Sequence, residues 1–158
     1  MAFINEVKKM SNSMLDKYYK LILLIGKNGS GKTSLINELC AANTYSYINL
    51  NLALSEKLKD VPIGDRCYCV QDFIDEIIRN ASGDFIVLDN IELIFSKHLQ
   101  LEPLGVLKNI AKYRKTIVAW QGSITNGYLT YAEPTHEDYV KYKMDELECL
   151  YINLERGL

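Results

Sequence analysis

Apolar residues in this chain follow two rhythms. Phe3, Ile4, Val7, Met10, Met14, Leu15 and Tyr18 recur at helical spacing, which predicts an amphipathic opening helix lying over an edge or face of the core. Residues 21–25 are instead an unbroken apolar run, as expected of a strand buried on both faces. Helical spacing returns after Gly31 in Leu35, Ile36, Leu39 and Cys40, and later in Val70, Phe73, Ile74, Ile77 and Ile78. Between them, 45–52 reads as a second strand and 55–58 as a short helix, with Pro62 and Gly64 marking a loop. A third strand, 85–89, ends in Asp89. Leu104, Leu107, Ile110 and Ala111 give a helix, and 116–120 a fourth strand. A polar loop and a helix beginning near His136 precede a last strand over 149–154. Five strands separated by helices predict an α/β fold of three layers, a mainly parallel five-stranded sheet with helices on both faces.

Composition narrows this picture without changing it. At 158 residues, with no repeat, low-complexity tract or linker, the chain reads as one domain spanning 1–158. A formal net charge of −2 supplies no bulk field toward nucleic acid and leaves room only for local basic patches, so direct nucleic-acid contact stays open. The run at 21–25 is far too short to span a bilayer. Asn5, Glu6, Lys8 and Lys9 near the start do not fit a signal peptide. A cytoplasmic protein with no membrane partner is the expectation. Cys40, Cys67, Cys69 and Cys149 lack the spacing of a zinc site or redox pair and are expected to be free, mostly buried thiols.

Chemistry enters at Gly26-Lys27-Asn28-Gly29-Ser30-Gly31-Lys32-Thr33. A Gly-x-x-x-x-Gly-Lys-Thr run between a buried strand and a helix is a phosphate-binding loop (P-loop). Its glycines let successive N–H groups converge on one phosphate, and the helix start adds a positive end. Lys27, Asn28 and Ser30 contribute backbone, Lys32 reaches the outer phosphates, and the Thr33 hydroxyl is a magnesium ligand. ATP with Mg2+ is therefore the expected ligand. Asp89, at the carboxyl end of a strand, is either the second magnesium anchor or a helix cap, and the two roles can coexist.

Hydrolytic activity is less fully written. Asn90 stands directly after Asp89, where an activating glutamate would be expected, and an amide cannot accept a proton. Glu92 either reaches the site from two residues on or is a solvated surface charge. Gln121, closing the fourth strand, either senses the terminal phosphate or ends the strand. Trp120 reads as core. Of four arginines, Arg114 is the best substitute for a finger residue, ahead of Arg66 and Arg79. The chain lacks an Asp-x-x-Gly after the third strand and an Asn-Lys-x-Asp motif, which argues against guanine specificity. So few arginines also disfavour a kinase that clamps a second phosphate.

Beyond the loop, Tyr47-Ile48-Asn49-Leu50-Asn51-Leu52, Leu88-Asp89-Asn90-Ile91-Glu92, Ala119-Trp120-Gln121-Gly122 and Leu129-Thr130-Tyr131-Ala132-Glu133-Pro134-Thr135-His136-Glu137-Asp138-Tyr139 resemble the BrxF family, small P-loop proteins of type 3 BREX phage-defence systems. That resemblance implies an AAA+-like core, which normally carries a C-terminal helical lid; with its fifth strand at 149–154, this chain is expected to lack one. The resemblance also implies an ATP-binding accessory protein that works beside a methyltransferase and other large defence components. The expected function is a weak ATPase or ATP-dependent switch in an antiviral complex, dependent on assembly with partners or as a homo-oligomer. The alternatives are an ATP-binding subunit that does not turn over, and, behind it, a small-molecule kinase.

Overall fold

The computed structural model describes residues 2–27, 29–41, 45–132 and 139–155. Helix α1 (Ala2–Ser13) leads through a 3-10 turn into strand β1 (Leu21–Gly26). Then come α2 (Lys32–Cys40), β2 (Tyr45–Asn49), α3 (Leu50–Leu58), α4 (Arg66–Arg79), β3 (Phe85–Asp89), α5 (Pro103–Ala111) and β4 (Lys115–Thr125). Strands β5 (Tyr128–Tyr131), β6 (Val140–Lys143) and β7 (Leu150–Asn153) follow.

Five strands form a parallel sheet in the order β2-β3-β4-β1-β7. Side chains alternate across it, so β1 divides its apolar residues between two cores. Leu21, Leu23 and Ile25 pack with α3, α4 and α5, through residues such as Leu54, Ile74 and Leu107. Ile22 and Leu24 face the other way, onto Ile4 and Val7 of α1 and Leu35 and Leu39 of α2. All five are fully buried. This is the expected three-layer α/β architecture.

Four expectations need correction. The helix after β2 begins at Leu50, not 55, because the Asn49 side chain caps it by accepting from the Leu52 N–H at 3.0 Å. Tyr18 does not join the buried stripe of α1, since the helix ends at Ser13 and Tyr18 is exposed. The polar loop after the fourth strand is a hairpin: β4 continues to Thr125 and turns back antiparallel into β5, which pairs with β6. Asn126 and Gly127 at the turn have φ of 52° and 80°, the two left-handed residues of a tight type I′ turn. The expected helix near His136 starts in residues 133–138, outside the described residues, but 140–143 is strand β6.

Trp120 anchors the hairpin. It is buried, and its Nε1 donates to the Thr130 carbonyl at 2.9 Å. Phe95 and Tyr131 stack with ring centroids 3.6 Å apart, and Trp120 meets both edge-on. Gly122 sits so close to the returning strand that a Cβ there would lie 1.8 Å from the Thr130 carbonyl oxygen.

Candidate functional site

Strand β1 delivers the chain to the carboxyl-terminal edge of the sheet, where 26–33 turns into α2. Gly29 and Gly31 take φ of 84° and 96°, conformations that a side chain would strain. Asn28 lies outside the described residues. Lys32 opens α2 and folds back over the loop, donating to the Gly26 carbonyl and, at 3.0 Å, to that of Lys27. Burial lowers its pKa, opposed by the negative charges of Glu155 and Asp89.

Across the cavity stands the end of β3. Asp89 Oδ2 accepts from the Tyr47 hydroxyl at 2.9 Å, and Oδ1 from the Asn90 N–H at 3.0 Å. Burial, then the hydrogen bond and charge of Asp89, raise the Tyr47 phenol from 10.0 to about 12. Asn90 is left-handed (φ 52°), a conformation asparagine tolerates better than most residues, and its carbonyl accepts from the Asn51 N–H at 2.8 Å. The chain then bends into a 3-10 turn, Glu92–Phe95. Asn51 ties this turn to α3: Nδ2 donates to Glu92 Oε2 at 2.7 Å, while Oδ1 accepts from the Leu93 N–H at 2.8 Å.

These elements enclose an open cavity of ≈ 360 Å³, with Lys32, Thr33, Asp89, Asn90, Glu92 and Gln121 among its walls. Gln121 is there because β4 lies between β1 and β3 and pairs Gln121 with Gly26. The sequence profile of the ATPase family associated with various cellular activities (AAA) matches residues 22–114, more than half of the chain. The chain belongs to the AAA family. Among solved structures, PCH-2 of C. elegans is similar over 79% of this chain and 38% of that one, with a TM-score of 0.44 and 19% identity. This chain therefore spans well under half of that protein's length. No curated protein matches it.

Nucleotide binding of the ATPase type is thus the business of this AAA domain. Of the side chains that the sequence singled out beyond the loop, the cavity gathers Asp89, Glu92 and Gln121 but not Arg66, Arg79 or Arg114. Arg114 was the first choice among those arginines. It lies ahead of β4, at the amino-terminal edge of the sheet, about 20 Å away at ~3.3 Å per strand residue. There it donates to the carbonyls of Ile78 (2.8 Å), Ala81 (3.1 Å) and Gly83 (3.4 Å). Its work in this fold is to fasten the end of α4. Arg66 donates to the Val61 carbonyl at 2.8 Å, Arg79 ends α4, and Arg156 is outside the described residues. No described arginine lines the AAA cavity.

Sequence reasoning gave Tyr47 and Asn51 no role, although both fall in the run Tyr47–Leu52 that carries part of the family resemblance. Both hold acidic residues of the site, Tyr47 from the middle of β2 and Asn51 from the start of α3. The four cysteines are free, as expected, but partly rather than mostly buried. Among the described residues no helix is long and apolar enough to cross a membrane.

Proposed function

We propose that this AAA domain binds ATP with magnesium and turns it over slowly, as a nucleotide-dependent switch within a larger assembly. The observation that carries this reading is the convergence of Lys32, Thr33, Asp89, Glu92 and Gln121 on one cavity at the sheet's carboxyl edge. The loop's backbone N–H groups and Lys32 cradle the phosphates, for which Lys32 must exchange its loop carbonyls for phosphate oxygens. Thr33 and Asp89 are oxygen donors on the same cavity, the donor type that suits magnesium. When bound, the ion neutralises charge on the phosphates. Glu92, steadied by Asn51, is the group placed to orient or deprotonate an attacking water in place of Asn90. Gln121 reads the terminal phosphate.

That no described arginine lines the cavity motivates the dependence on assembly. A finger arginine supplied by another subunit is worth about 10³–10⁵ in rate. The resemblance to BrxF supports placing the switch in a bacterial phage-defence complex, beside a methyltransferase. Calorimetric titration with ATP, with and without magnesium, tests the site: we expect binding that magnesium strengthens, and Asp89→Ala should blunt the magnesium effect more than the binding itself. Phosphate release measured across a wide range of protein concentration tests assembly. A high specific activity that ignores concentration refutes it. Tight binding with background turnover under all conditions, partners included, establishes the non-hydrolysing subunit instead.

A further inference from the structure

The amino-terminal edge of the sheet, where β1 and β4 begin, carries two adjoining hollows. One, of ≈ 420 Å³, is lined by Asp16, Lys17, Tyr18, Lys20, Lys112 and Tyr113. Tyr113 also walls the second, of ≈ 480 Å³, together with Asp75, Arg79 and Arg114. Leaving out Arg114, whose guanidinium is engaged by carbonyls, four cations (Lys17, Lys20, Lys112 and Arg79) face two carboxylates. The ion pairs among the described residues are Lys57–Glu76, Lys59–Glu56 and Lys108–Glu148, so none engages these four. In a chain of formal charge −2, this is a local concentration of positive charge.

Two aromatic rings stand among these cations. Tyr113 is 82% exposed and Tyr18 69%, and the Lys112 ammonium lies 5.7 Å from the Tyr18 ring centroid. Large exposed rings are the informative exception on a protein surface. The backbone beneath them is fixed: the Lys20 N–H donates to the Ala111 carbonyl at 2.9 Å, and the Thr116 N–H to the Lys20 carbonyl at 2.8 Å. Helix dipoles account for Arg79, in the last turn of α4, and Lys112, directly after the last turn of α5. They do not account for Lys17 and Lys20, nor for two exposed tyrosines.

We infer that this face binds single-stranded DNA, with phosphates on Lys17, Lys20 and Lys112 and bases stacked on Tyr18 and Tyr113. Cations that track a backbone, interleaved with rings that accept any base face, are the usual equipment for that ligand. A duplex keeps its base faces in the stack and leaves the rings idle, as does a purely acidic protein. A single RNA strand presents the same phosphates and base faces and adds a 2′-hydroxyl, so the test sets the matching RNA against the deoxy strand.

Fluorescence polarisation of labelled oligothymidylate, with the full chain and over a salt series, tests the inference. We expect binding that weakens with salt, competed by unlabelled single strand and not by polyglutamate. Tyr113→Ala should lower affinity about 5- to 150-fold, while Tyr113→Phe, which keeps the ring face, retains it. Removing both Lys17 and Lys112 as alanines should lower the log–log salt slope by about 1.4. ATP titration of each variant serves as the control and stays unchanged, because the nucleotide cavity is at the opposite edge. Absence of binding at low salt overturns the assignment. So do effective competition by polyglutamate, tenfold tighter binding of the matching RNA, or indifference to Tyr113→Ala.

Discussion

At the amino-terminal edge of the sheet, Arg114 donates to three carbonyls and the Thr116 hydroxyl donates to the Arg114 carbonyl at 2.8 Å. At the carboxyl-terminal edge, Thr33, Asp89, Glu92 and Gln121 face an open cavity. The same strands feed both ends. At the first, polar groups beneath the surface are consumed by the fold and fix where helices and strands meet. At the second, they are held by one or two bonds to neighbours, as Glu92 is by Asn51 and Asp89 by the Tyr47 hydroxyl and the Asn90 N–H, and keep lone pairs for something else. A residue's place along its strand therefore says as much about its role as its chemical type. Arg114 looks like a phosphate residue by type and is a fastener by position.

Substitutions that treat the two edges differently can break this contrast. The largest effect should come from Glu92→Gln, which removes the basic oxygen and keeps the shape. Phosphate release from the assembled protein should fall about 10²–10⁴-fold, with ATP affinity unchanged in calorimetry. Undiminished turnover would return Glu92 to the solvated surface. Lys32→Ala should weaken ATP binding about 10–150-fold, the equivalent of one charge-assisted contact, with little change in Tm. A folded variant that binds normally would remove the phosphate loop from the site.

Arg114→Ala should do the reverse. Losing its charged hydrogen bonds should lower stability by about 1.5–3 kcal/mol, read in a denaturant titration, while the ATP Kd stays put. Weaker ATP binding at unchanged stability would put Arg114 back among the nucleotide residues. The smallest effect concerns Tyr47, whose folded-state pKa of about 12 lies above the ordinary 10.0. A raised pKa means that the fold holds the phenolic proton more tightly. That stabilisation is complete below pH 10 and is lost as pH climbs through about 12. Tyr47→Phe should therefore show a shallower alkaline decline in Tm than the parent over that window; parallel declines would mean that the bond to Asp89 carries no such linkage.

The sequence was most legible where one force dominated. Leu21 to Ile25 could only be a strand buried on both faces, and the glycine spacing that follows has few uses apart from phosphate. Asp89 was legible because an apolar run ended on it. Glu92 and Gln121 could be named but not placed, since their usefulness depends on strand order and on Asn51, 41 positions from Glu92 in sequence. The hairpin was a different failure. Asn126-Gly127 between Ile124 and Tyr128 is a turn signal with a mechanism, and the polar residues around it masked the alternation. Arg114 misled because a guanidinium satisfied by main-chain carbonyls leaves no trace in local sequence.

Strand β4 runs without interruption for 11 residues, about 36 Å at the usual rise. Its first half is clamped between β1 and β3, and its last four residues pair with β5. Gln121 sits just where one regime gives way to the other, and Gly122 next to it tolerates no added atom against Thr130. In mechanical terms the hairpin is a handle, β4 is the shaft, and the socket grips that shaft up to the residue beside the phosphate loop. A load on the handle has no slack joint in which to dissipate before it reaches Gln121.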